Sequence, residues 1–102
     1  MDKLEYISHG LIHNFMTDVC NTVKDITSDE VLAVNEQDMG VILTKDNYHM
    51  RFEFPLFKDQ YKKYVCSNKP RSMWVETTAK SMLKTFYFNY NREQKRLQEK
   101  RP

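Results

Sequence analysis

Between residues 48 and 54 the chain alternates without a break: Tyr48, Met50, Phe52 and Phe54 are apolar or aromatic, and His49, Arg51 and Glu53 are not. A period of two sends these sets to opposite sides of an extended strand, so the segment requires a sheet with one buried and one wet face. Two short apolar runs precede it, at residues 31–34 and 41–44. The polar connections between the runs, at residues 35–40 and 45–47, are short enough for hairpins. Together they predict a three-stranded antiparallel meander.

The flanking segments follow another period. Leu4, Ile7, Leu11, Phe15, Val19, Val23 and Ile26 recur at intervals of three and four, which predicts an amphipathic helix over residues 2–26. Asp2 and Glu5 have the spacing of a capping box at its start, and Gly10 weakens it. Downstream, Pro55 suits the first turn of a short helix whose apolar side holds Leu56, Phe57, Tyr61, Tyr64 and Val65. Residues 67–70 form a turn, because Pro70 disfavours helical geometry at Lys69. Ser72 can cap a last, long helix with Val75, Ala79, Met82, Leu83, Phe86, Tyr90 and Leu97 on one stripe. Phe86, Phe88 and Tyr90 also alternate, so residues 85–90 carry a competing reading as a fourth strand.

The expected fold class is therefore α+β: a single domain over residues 1–102 in the order α-β-β-β-α-α, with the helices on one face of the meander and a frayed basic tail from residue 92. In outline this succession resembles the double-stranded-RNA-binding domain and certain very small phage-encoded anti-CRISPR inhibitors. The RNA-binding family passes from its third strand almost directly into a lysine-led helix. Here residues 55–70 intervene, and the pair Lys62-Lys63 lies inside them, so no family motif carries over.

At 102 residues the chain has room for one core. Its net charge of +2 conceals a division. Residues 1–51 sum to −5 and residues 52–102 to +7, and ten of the thirteen aromatic residues also lie in the second half. Cys20 and Cys66 are expected as free thiols in a reducing cytoplasm. The acidic start Met1-Asp2-Lys3-Leu4-Glu5 lacks the basic region of a signal peptide, and no apolar run is long enough for a membrane span, so no membrane is expected as a partner.

Catalytic constellations are thin. His9 and His13 are one helical turn apart, as metal ligands often are, but no third ligand has sequence support and polar surface histidines meet the same spacing; no metal is expected. Either cysteine can be drawn beside a histidine, with no local nucleophile signature. The carboxylates of Asp29, Glu30, Glu36 and Asp38 lie at strand ends, where plain turns explain them. Gly10 and Gly40 are too far apart for a phosphate-binding loop, so no cofactor is expected, and the chain reads as a non-enzyme.

Binding remains. Lys80, Lys84, Arg92, Lys95 and Arg96 lie off the apolar stripe of the last helix, and Phe88 projects among them. An aromatic in a basic face suits a protein interface with an acidic partner, and Trp74 adds a second candidate anchor. The alternative is a nucleic-acid module in which Phe88 stacks a base while Lys62, Lys63, Lys69 and Arg71 extend the basic surface. Packing of Phe88 on the first helix, or on a second copy in a homodimer, explains it without either. The near-neutral net charge favours a protein partner, which can itself be a nucleoprotein complex, and hence a small regulator or inhibitor of phage or bacterial accessory type.

Overall fold

The computed structural model describes residues 3–99, with side chains from residue 10 onward, so the expected Asp2–Glu5 cap lies outside the described residues. The elements are α1 (Lys3–Ile26), β1 (Ala33–Gln37), β2 (Gly40–Lys45), β3 (Tyr48–Glu53), a 3₁₀ turn (Phe54–Phe57), α2 (Lys58–Cys66) and α3 (Arg71–Glu99). The strands form one antiparallel meander, β1-β2-β3. The order α-β-β-β-α-α is the one that the sequence predicts.

Register fixes the faces. Val34 pairs with Leu43, Val41 with Phe52 and Leu43 with Met50, so these side chains share the inner face. They meet Phe15, Met16, Val19 and Val23 of α1 and Val75, Ala79, Met82 and Phe86 of α3 in one buried cluster. Tyr61 and Tyr64 of α2 close the cluster edge-on against Phe15, at ring separations of 5.7 and 5.1 Å.

Several local details differ from expectation. The first strand starts at Ala33, not Val31, because Asp29 claims the preceding amides: the Val31 N–H donates to Asp29 Oδ1 at 3.0 Å and the Leu32 N–H to the Asp29 carbonyl at 3.2 Å. Val31 is left 61% exposed. The strand instead continues through polar Asn35-Glu36-Gln37, because the connection is only Asp38-Met39. Both residues hold positive φ (50° and 59°), the sign pattern of a type I′ turn, whose twist matches that of the strands.

After β3, Pro55 sits in the 3₁₀ turn and not in α2 itself. At three residues per turn Phe54 and Phe57 eclipse, so both face inward and Leu56 is turned out, 67% exposed. The last helix begins at Arg71, with the Met73 N–H donating to the Pro70 carbonyl at 3.1 Å, so Ser72 lies within its first turn and does not cap it. Residues 85–90 are helical, not a fourth strand.

Helices α1 and α3 run side by side in the same direction. Asp18 and Thr22 line a cleft with Arg71 and Val75, whereas Asp29, just beyond α1, bonds Tyr87. The molecule is elongated, 59 × 27 × 18 Å, with the amino-terminal turns of α1 and the carboxyl-terminal turns of α3 at opposite ends.

Candidate functional site

The outward side of α3 carries Lys84, Phe88, Arg92 and Lys95, which at 100° per residue lie within one third of the helical circumference. Phe88 is 66% exposed, the opposite of Phe86 two residues earlier, which is fully buried. The Arg92 guanidinium sits 5.7 Å from the Phe88 ring centroid, and Nη2 donates to Asn89 Oδ1 at 3.0 Å. Guanidinium and ring thus brace each other. Lys84 and Lys95 are exposed and form no ion pair among the described residues.

The other expected members of this face stand apart. Lys80 is paired with Glu76 at 2.8 Å, and Arg96 with Glu93, whose carboxylate raises the guanidinium pKa through their hydrogen bond. Trp74 lies about 21 Å from Phe88 along the helix axis. It is half-buried, its Nε1 is enclosed without an acceptor, and Lys63 Nζ lies 5.1 Å above its ring. Arg71 stacks on Tyr64 at 5.0 Å, whereas Lys62 and Lys69 are exposed around α2. The sequence candidates therefore fall on two surfaces, the outer side of α3 and the α2 corner.

One cluster was not anticipated. Lys45 Nζ and the Tyr87 hydroxyl both donate to Asp29 Oδ2 at 2.6 Å, and the Tyr90 hydroxyl donates to Asp46. Lys45 also lies 5.5 and 5.3 Å from the Tyr87 and Tyr90 ring centroids. The Lys45 bond, then that of Tyr87, holds the Asp29 carboxyl down at about 2. The same bond raises Lys45, while Tyr87 is raised chiefly by burial and Tyr90 chiefly by its bond to Asp46. A carboxylate so engaged is a poor general base. What the cluster does is tie the α1–β1 connection, the β2–β3 turn and α3 together.

At the other end of the sheet Thr17 Oγ1 donates to both oxygens of Glu36, at 2.9 and 3.0 Å, and His13 Nδ1 is 3.6 Å from the same carboxylate. The His9 side chain lies outside the described residues. Among those described, no three His, Cys, Asp or Glu side chains converge as metal ligands would. Cys20 is buried, which pushes its thiol pKa up and makes it a weak nucleophile; Cys66 is free and exposed.

No protein-family model matches the chain, and no curated protein or solved structure shows significant similarity to it. Among the described residues no helix is long and apolar enough to cross a membrane.

Proposed function

We propose that this chain is a small non-enzymatic regulator or inhibitor, of phage or bacterial accessory type, that acts by laying the outer side of α3 on an acidic surface of a macromolecular partner. The observation that carries the reading is Phe88: an aromatic ring two-thirds exposed, braced by Arg92 and flanked by Lys84 and Lys95, which are unpaired among the described residues. An exposed ring offers about 1.5–3 kcal/mol on burial, and Arg92 has already lost part of its rotamer freedom through Asn89. Basic neighbours select a carboxylate-rich partner and speed the encounter. The reading includes action in the reducing cytoplasm, where the free Cys20 and Cys66 persist as thiols.

The test is affinity capture with the tagged chain, with and without nuclease, followed by titration of the recovered partner. Phe88→Ala is expected to weaken binding by about 2 kcal/mol, roughly 30-fold. Unchanged affinity removes the proposed anchor, and recovery that disappears with nuclease transfers the role to nucleic acid.

A further inference from the structure

The α2 corner is a second charged surface, independent of the Phe88 face. Residues 54–71 contain five cations, Lys58, Lys62, Lys63, Lys69 and Arg71, against one carboxylate, Asp59. Four cations elsewhere are matched inside the molecule, Lys45 by Asp29, Arg51 by Glu53, Lys80 by Glu76 and Arg96 by Glu93, whereas, among the described residues, Lys84 and Lys95 on α3 are not. Among the described residues none of the five corner cations is in an ion pair. Lys58, Lys62 and Lys69 are exposed and form no ion pair among the described residues. Lys63 and Arg71 rest on the faces of Trp74 and Tyr64, contacts that orient the cations while leaving their N–H donors without a protein acceptor.

We propose that this corner grips the phosphodiester backbone of a nucleic acid without reading its sequence. Lys58 and Lys62 are one turn apart on the outer side of α2, a rise of about 6 Å. That spans about two phosphate steps measured along a duplex axis, where each strand places one phosphate per about 3.4 Å of rise. The rings at the corner are engaged within the molecule: Tyr64 is buried, Lys63 lies over Trp74, and Tyr61 packs against Phe15, Phe54 and Tyr64, so base stacking is not the contact that this corner favours. A lipid surface suits the corner less well. Leu56 is the one large side chain of residues 54–66 turned out to solvent as an apolar group, and one leucine is a small hydrophobic anchor.

The experiment is fluorescence anisotropy of the full chain with a labelled duplex of about 20 base pairs and arbitrary sequence, at salt from about 50 to 200 mM. Engagement of three to five phosphates predicts a log–log salt slope of about −3 to −4.5, roughly a hundredfold loss over that range. Lys62→Glu with Lys69→Glu should weaken binding at least about tenfold and flatten the slope by about 2. Lys80→Glu, at a lysine already paired to Glu76, is the charge control, and circular dichroism verifies folding of each variant. Three outcomes overturn the proposal: no duplex binding at the lowest salt, equal losses in the pair and the control, or binding to phosphatidylserine vesicles in place of the duplex. Phe88→Ala should leave duplex binding intact; if it abolishes binding, the contact belongs to α3 and the corner is excluded.

Discussion

Two phenylalanines on one helix provide the sharpest check of the fold. Phe86 is completely buried, its ring 5.5 Å from that of Tyr48, 5.3 Å from Tyr87 and 6.0 Å from Tyr90. Phe86→Ala deletes a ring that the sheet, the helix and the polar cluster all surround, and should cost about 3–5 kcal/mol. Against a total stability of about 5–15 kcal/mol for a domain of this size, that is about a fifth or more. With a urea slope of about 1–3 kcal/mol per molar, the midpoint should fall by about 2 M. Phe88→Ala removes a ring already in water and one exposed cation–π contact, while gaining helix propensity, so its midpoint should move by no more than about 0.5 kcal/mol equivalent. The assay is urea unfolding followed by circular dichroism. In a strand, positions 86 and 88 would share a side and both substitutions would be costly. Comparable losses at the two positions, or a loss below about 1 kcal/mol at Phe86, would refute the helical placement of this segment.

Three further outcomes are expected. Gly10→Ala should raise stability by about 0.5–1 kcal/mol, because a Cβ at this helical position meets nothing within 4 Å; an unchanged thermal midpoint would mean that these turns of α1 are not helical in solution. Asp29 has a folded pKa of about 2 against an ordinary 3.8, so its contribution is complete above the ordinary value and is lost as pH falls towards 2. The gap between wild type and Asp29→Asn in urea midpoint should therefore close over that interval, and a pH-independent gap would count against Lys45 and Tyr87 as the cause. Gly40→Ala places a Cβ 3.1 Å from Arg51 Nη2 and 3.2 Å from the Phe52 carbonyl, so it should cost about 1 kcal/mol; a double-mutant cycle with Arg51→Ala should recover the part due to the side chain, and full additivity would refute the clash with Arg51.

The elements that the sequence revealed most clearly are those in which one period runs without interruption. Alternation over residues 48–54 marked β3 and its buried side, and the three-and-four spacing from Leu11 to Val23 marked the face of α1 that carries Phe15 and Val19. Errors arose where short-range hydrogen bonding overrode hydrophobicity. Val31 and Leu32 look like strand residues, but Asp29 takes their amides. Leu56 looks like a core residue, but a 3₁₀ turn advances about 120° per residue and presents Phe57 instead. The exposed Phe88 was legible because it lies off the helical stripe. The Asp29–Tyr87 bond spans 58 residues, and no local pattern could disclose it.

The same long-range contacts alter what the net charge implies. A total of +2 argues against nucleic acid only if the acidic first half offsets the basic second half in space as it does in sequence. It does so only in part, because Asp29 and Asp46 are held at Tyr87 and Tyr90, about 24–28 Å along α3 from Arg71. Screening cuts the influence of an exposed charge beyond about 8 Å at physiological salt, so an anionic ligand at α2 responds to the local set of charges and not to the sum over the chain. That set is five cations with Asp59, joined on the side facing α1 by Asp18, which shares a cleft with Arg71 and accepts from Tyr64. On the outer side of α3, Lys84 and Lys95 are likewise unmatched, while Glu76 and Glu93 are occupied by Lys80 and Arg96. A nearly neutral chain thus presents two basic surfaces, one with an exposed aromatic ring and one without. Under the two proposals above, the ring would meet a folded acidic partner and the ring-free corner a phosphate backbone, two surfaces that a nucleoprotein complex would offer together.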